Sequence, residues 1–273
     1  MATADRPLTK DELEYHLHTR PGDLAPLCLI VGAPGRAEMI AETFLVKRKR
    51  FANDHRGLVS YTGEFQGVRV SVTTSGMGVA SLGIVLPEAV RSGARVFIRV
   101  GSCGSLISES LPGDTIIVTG AIRYDGATID WAPIEYPAIA DWRVVEALVA
   151  AAKQLMPRHY FTGIEATTSD FNTGQGRPNL HGDVPPRMMA RHQEVQRLRV
   201  SCYSMEAAGL FVWCATEGWG LPSGVINAVY ANRVTGAWEV AGDENAASVA
   251  LLACKFLAQD PAFAKEYLGC DES

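Results

Sequence analysis

The apolar stretch Ala94-Arg95-Val96-Phe97-Ile98-Arg99-Val100 carries a guanidinium near its end, just before Gly101-Ser102-Cys103-Gly104. A buried charge costs on the order of several kcal/mol unless an opposite charge meets it, so Arg99 requires either a carboxylate or an anionic ligand. A second arginine, Arg36, ends the Gly-rich turn Val-Gly-Ala-Pro-Gly-Arg at residues 31–36, and a third Gly-rich turn occupies residues 73–81. Each turn follows an apolar run. Glycine lets the backbone come close to a ligand there, and helix N-termini offer free N–H groups. A tetrahedral oxyanion such as phosphate would satisfy Arg36, Arg99 and the Ser102 hydroxyl together. Neither a Walker A sequence nor G-x-G-x-x-G is present.

The elements that must hold these turns follow from periodicity. Short β-branched runs at residues 28–32, 68–74, 94–101, 114–120, 162–168, 200–206 and 223–231 have the length of strands buried on both faces. Between them, residues 37–44, 79–93, 142–155, 207–220 and 244–260 read as helices. This alternation predicts an α/β layered fold with a mostly parallel sheet. The basic run Lys47-Arg48-Lys49-Arg50 reads as a solvated strand edge rather than a targeting or nucleic-acid patch.

With 25 basic and 30 acidic residues the chain is net −5, which gives no general attraction to nucleic acid or anionic membrane. No apolar run approaches the roughly 20 residues of a membrane span, and residues 1–10 lack a signal pattern. The expectation is a soluble, cytoplasmic protein acting on a small molecule. Cys28, Cys103, Cys202, Cys214, Cys254 and Cys270 lack C-x-x-C spacing and are expected to be reduced and buried.

The segments VGAPGRAEMIA, DHRGLVSYTG, SGMGVAS, RVGSCGSL, TTSDFNTGQGR and SMEAAGLF occur in this order. Jointly they resemble the nucleoside phosphorylase/uridine phosphorylase family over roughly residues 16–260. The resemblance implies a single domain spanning 1–273, with a three-layer α/β/α subunit of the phosphorylase/hydrolase type around a mixed, mostly parallel sheet. It implies phosphorolysis of a nucleoside with phosphate as co-substrate and no cofactor. It also implies homodimers, or hexamers built as trimers of dimers, in which the partner lends residues to each site.

Position by position, Gly32, Arg36, Arg99 and Ser102 resemble the phosphate site, and Arg56 the arginine supplied by the neighbouring subunit. His16 resembles the N-terminal histidine that crosses the dimer to the ribose. Met205, Glu206 and Ser102 resemble the ribose contacts, where a carboxylate suits paired hydroxyls. The alternative for Glu206 is simple capping of the helix beginning at Ala207. Gln175 and Arg177 of GQGR match the G-Q-x-R that holds uracil, with Phe171 as a stacking wall. Arg99, Gln175 and Arg177 would then be the catalytic groups, meeting phosphate and the charge that grows on the leaving base. No nucleophilic side chain is needed, so Cys103 reads as packing.

Purine members carry a Ser-Asp pair after the last strand, whereas Asn232 and Arg233 stand here and supply no acid. Asp170 reads as a turn residue rather than a replacement. Three further departures are Ala33 in place of an acidic residue, Ser204 in place of the first Glu of an E-M-E triplet, and Gly57 after Arg56. Gly57 stands where some relatives bind a monovalent cation through Glu, so no metal is expected. Residues 178–192, rich in Pro, Gly and charge, predict a mobile loop over the base site. A purine nucleoside phosphorylase, a nucleosidase and a non-catalytic nucleoside-binding relative are the alternatives.

Overall fold

A computed structural model describes residues 3–269. In chain order its strands are β1 (Leu27–Val31), β2 (Val46–Asn53), β3 (Leu58–Phe65), β4 (Val68–Thr74), β5 (Val96–Ser105), β6 (Thr115–Tyr124), β7 (Ala138–Ile139), β8 (Tyr160–Thr168), β9 (Cys202–Ser204) and β10 (Ser223–Asn232). The main helices are α1 (Pro34–Phe44), α2 (Gly78–Arg91), α3 (Trp142–Leu155), α4 (Pro186–Arg197), α5 (Ala207–Ala215) and α6 (Asp243–Gln259). Every β-branched run read from the sequence becomes a strand. β2, the basic run, lies at the sheet edge with residues 46–50 exposed, as its charge predicts.

The strands form one mixed sheet in the order β10-β6-β8-β9-β5-β1-β4-β3-β2, with β7 beside β6. β10 also pairs with β5, so β5, β10, β6, β8 and β9 close into a ring. Among the described residues, parallel and antiparallel strand pairs are equal in number. Pairs β1–β4, β1–β5, β5–β10, β6–β8 and β8–β9 are parallel, and the other five are antiparallel. Short connections are one reason. β3 and β4 are joined through Gln66 and Gly67, both at positive φ, a two-residue turn that allows only an antiparallel hairpin.

Side-chain alternation along the central strands fills two separate cores. Leu27, Leu29 and Val31 of β1 and Val96, Ile98 and Val100 of β5 join a cluster with α1, α3 and α6. Cys28, Ile30 and Phe97 point the other way, into a cluster with α2 and α5. Period-2 alternation therefore puts Arg99 on the α2/α5 side of β5. Helix α5 is apolar all round and buried from Ala207 to Cys214, so its first turn, led by Glu206, starts deep in the molecule.

Part of the segment expected to be a loop is helical: α4 begins at Pro186, a residue suited to a first turn. Val195 anchors α4 in a small cluster with Tyr203. Five cysteines are free and buried, as expected, and Cys270 lies outside the described residues. No described helix is long and apolar enough to cross a membrane.

Candidate active site

At the carboxyl ends of β1, β5 and β10 a cavity of about 480 Å³ opens. Its lining includes Gly32, Arg36, Arg99, Ser102, Phe171, Gln175, Arg177, Met205 and Glu206. These residues span 175 positions of sequence, yet the sheet brings them to one hollow.

The question raised by Arg99 has a carboxylate for its first answer. Arg99 Nη2 lies 2.6 Å from Glu206 Oε2, and both side chains are 5% or less exposed. Glu206 is also the N-cap residue of α5, but its side chain makes no capping bond. Its Oε1 accepts instead from the N–H of Gly78 in the 73–81 turn, at 2.8 Å. Glu206 thus does not cap α5; it takes the first N–H of α2 and the Arg99 guanidinium instead. Nε and Nη1 of Arg99 are buried and have no partner, so the pairing with Glu206 leaves the guanidinium partly unsatisfied.

Arg36 is held in a parallel way. Its Nη1 donates to Val100 O at 3.3 Å, and its Nη2 donates to Tyr230 Oη at 2.8 Å and Asp243 Oδ1 at 3.1 Å. Tyr230 Oη in turn donates to Asp243 at 2.6 Å. Arg36 and Arg99 therefore each have a carboxylate partner and each retain an unpartnered Nε. Gly32 adjoins Arg99, and a Cβ there would meet only Gly76 O at 3.5 Å and Arg99 Nη2 at 3.9 Å.

At the other end, Gln175 Nε2 donates to Thr168 Oγ1 at 3.0 Å, and its Oε1 accepts from Arg177 Nη1 at 2.6 Å. Arg177 also donates to Phe171 O and lies 3.9 Å over the Phe171 ring, which is half exposed. Gly104 leaves room for two arginines here: a Cβ would meet Arg233 Cγ at 3.2 Å and Arg177 Nη2 at 3.7 Å. Burial first, and the charge of Arg233 second, pushes Arg177 down to about 10. Burial likewise lowers Arg233, whose Nη1 has no partner. The same two causes, in the same order, lower His192, whose Nδ1 is 3.0 Å from Tyr203 Oη. The end containing Gln175 is thus rich in positive charge with few acceptors.

Asp170 is a turn residue, as its loop position predicts. It accepts from the N–H of Gly174 (2.7 Å), the hydroxyl of Thr173 (2.7 Å) and the N–H of Asn172 (3.0 Å), and these donors hold its carboxyl below the ordinary range.

His16 and Arg56 do not line the cavity. They gather elsewhere: Asn53 Nδ2 donates to His16 O at 3.0 Å, the Arg56 N–H donates back to Asn53 Oδ1 at 3.2 Å, and Arg56 lies 5.9 Å over the Tyr15 ring. His16 Nδ1 is 2.8 Å from Glu88, which also accepts the N–H of Leu17.

Sequence reasoning missed Glu165, Asn227, Tyr230 and Asp243. Glu165 is fully buried behind Arg99, and burial pushes its carboxyl up while the Thr167 hydroxyl and the charge of Arg99 pull it back. The signal for it was present: a charged residue inside the β-branched run of residues 162–168, the same anomaly that marks Arg99. Among the described residues, no three His, Cys, Asp or Glu side chains gather as a metal-binding group.

The family model of the Phosphorylase superfamily matches residues 26–258 of the chain. A uridine phosphorylase of Thermococcus kodakarensis is 39% identical over 257 residues, covering 94% of this chain and 91% of its own length. A uridine phosphorylase of Klebsiella aerogenes is 35% identical over 222 residues, covering 80% and 86%. A purine nucleoside phosphorylase of the DeoD type from Streptococcus suis is 30% identical over 208 residues, covering 76% and 82%.

Proposed function

Because the chain belongs to the phosphorylase superfamily, we propose that it cleaves uridine with inorganic phosphate, giving uracil and ribose 1-phosphate. It acts as a pentosyltransferase in nucleoside salvage. The observation that carries this reading is that one cavity joins an oxyanion end (Arg36, Arg99, Ser102), a central carboxylate (Glu206) and a base end (Gln175, Arg177).

In this reading a phosphate oxygen attacks C1′ of the ribose as the bond from C1′ to the uracil nitrogen breaks. The electron pair leaves with the base. Arg36, Arg99 and Ser102 bind and orient the phosphate dianion against the sugar, which becomes cationic in the transition state. Glu206 and Met205 hold the ribose, Glu206 by accepting from its hydroxyls. Gln175 Oε1, already fixed by Arg177, keeps a lone pair for the uracil N–H. Negative charge growing on uracil relieves the mutual crowding of Arg177 and Arg233, so these cations stabilise the transition state more than the ground state. Phe171 flanks the base. Phosphate is a co-substrate, and no step requires a cofactor.

The subunit is read as one three-layer α/β/α domain, supported by two cores on opposite sides of the sheet. It assembles at least as a homodimer, with a trimer of dimers as the larger form and the cytoplasm as its place. In that assembly His16 and Arg56 complete the ribose and phosphate ends of the partner's cavity. Their clustering away from their own cavity supports this.

Incubating the protein with uridine, thymidine and inosine, with and without phosphate, and measuring free base by chromatography tests the assignment. Uracil release only with phosphate is expected. Equal release in phosphate-free buffer makes the protein a hydrolase, and faster turnover of inosine than uridine overturns the base assignment.

A further inference from the structure

A wholly buried carboxylate and amide pair, Glu165 and Asn227, adjoins Arg99. Glu165 lies on β8. Its Oε1 accepts from the Thr167 hydroxyl at 2.7 Å and from the Ala207 N–H, at the start of α5, at 3.1 Å. Its Oε2 accepts from Asn227 Nδ2 at 2.9 Å. That bond fixes the amide, so Asn227 Oδ1 must point the opposite way. Asn227 is opposite Gly101 in the pairing of β10 with β5, and Oδ1 reaches into the hollow left by the missing Cβ of Gly101. Arg99 Nη1 occupies the same hollow. Both atoms are buried, one an acceptor and one a donor, and neither has a hydrogen-bond partner.

An unsatisfied donor and an unsatisfied acceptor confined together are a poised contact, since each carries a desolvation cost that a small rotation of the guanidinium would remove. We propose that Glu165 and Asn227 form a positioning pair for Arg99. When an oxyanion draws Arg99 away from Glu206, Asn227 Oδ1 receives Nη1, and the guanidinium is held with its remaining N–H groups toward the anion. Glu165 acts only through Asn227, by keeping the amide oxygen rather than its NH2 turned toward Arg99. Because Glu165 Oε1 also takes the first N–H of α5, the pair ties the phosphate end to the element that carries Glu206.

This inference rests on the phosphorolytic reading, and phosphate is the probe. Glu165→Gln keeps size and an acceptor for Ala207 but offers an NH2 that lets the Asn227 amide turn over. Asn227→Ala removes the oxygen outright. Each is expected to raise KM for phosphate about tenfold, the loss of one hydrogen bond to a charged group, while KM for uridine stays within about twofold. The combined variant is expected to be no worse than the worse single one, because both act along one path. An unchanged phosphate KM in either variant, both KM values rising together, or effects that multiply in the double variant would overturn the pair. Should Asn227→Ala fail to fold, the phosphate KM of Glu165→Gln decides alone. A wild-type protein that releases uracil without phosphate overturns the function itself. A phosphate-dependent wild type whose variants keep the wild-type phosphate KM overturns only the positioning pair.

Discussion

Arg99 and Glu206 face each other at 2.6 Å in a pocket that admits almost no solvent, so the oxyanion end of the cavity is occupied by the protein's own carboxylate. Two groups proposed for different halves of the substrate compensate each other until it arrives. In the proposed reaction phosphate therefore competes with Glu206 for Arg99, and a ribose that takes Glu206 makes that competition easier. Removing one partner of such a buried pair costs about 3–5 kcal/mol in stability, and an oxyanion contact is worth roughly 2–4 kcal/mol in the transition state. Arg99→Ala is expected to lower the melting temperature and to slow phosphate-dependent turnover by about two orders of magnitude. Glu206→Gln should show the opposite sign for phosphate alone: tighter binding by titration calorimetry without nucleoside, with slower turnover. Phosphate affinity unchanged in Glu206→Gln would show that the pair does not gate the anion.

Glycines around this pair differ in what they permit. A Cβ at Gly101 would fall on Arg99 Nη1 and Asn227 Oδ1, whereas a Cβ at Gly32 would make only ordinary contacts. Gly101→Ala is expected to displace the guanidinium and cost roughly 1–3 kcal/mol in stability, with phosphate-dependent activity lost. Gly32→Ala should melt close to wild type, and its effect should be confined to KM for phosphate. Equal melting temperatures and equal activities for the two variants would contradict this.

The base end is expected to separate from the phosphate end in kinetics. Arg177→Ala removes a donor near the leaving base and lets Gln175 lose its fixed orientation. A mispaired buried polar edge costs on the order of 1–3 kcal/mol, so uridine kcat/KM should fall at least tenfold while phosphate affinity, measured by calorimetry, stays near wild type. Parallel losses at both ends would mean that Arg177 supports the whole fold instead.

Acid should loosen the same loop through Asp170. Its carboxyl is held below the ordinary value of 3.8 by the N–H of Gly174, the Thr173 hydroxyl and the N–H of Asn172, in that order. A depressed pKa gives stability that is present above the unfolded value and lost as pH falls through the folded one. Asp170→Asn should therefore melt lower than wild type above about pH 4, and the gap should close below it. At neutral pH the variant should raise KM for uridine without changing the need for phosphate. A gap that widens on acidification would reverse the sign and the assignment.

Much of this was legible in the chain because charge inside an apolar strand is costly and therefore informative. Arg99 announced a compensating anion before any fold was known, whereas the side from which it comes depends on which helices cover each face of β5. The Gly-rich turns and GQGR marked the two ends of one cavity. What stayed hidden depends on pairing across distant strands. Nothing local says that Asn227 lies opposite Gly101, or that Tyr230 and Asp243 converge on Arg36 from β10 and α6. The balance of parallel and antiparallel pairs was hidden for the same reason, since it turns on β10 meeting both β5 and β6. The helix α4 was obscured by Pro185 at its N-cap and Pro186 at its first position, which read as loop residues although a helix tolerates proline there.

Sharing of sites between subunits makes a prediction with its own internal control. His16 and Arg56 lie together, bridged by Asn53, and outside the cavity of their own chain. If each serves the partner, a two-fold dimer has two cavities, each combining Arg99 of one subunit with His16 and Arg56 of the other. Arg56→Ala and Arg99→Ala should each be nearly inactive alone. After subunit exchange at equal amounts, half of the dimers are mixed, and each mixed dimer holds one intact cavity, so roughly a quarter of wild-type activity should return. Mixing Arg56→Ala with His16→Ala should restore nothing, because every cavity then receives one damaged partner surface. Recovery in the first mixture but not the second distinguishes shared sites from mere stabilisation by mixing. A fully active monomer in sedimentation would rule sharing out, and recovery in both mixtures would place His16 and Arg56 in different sites.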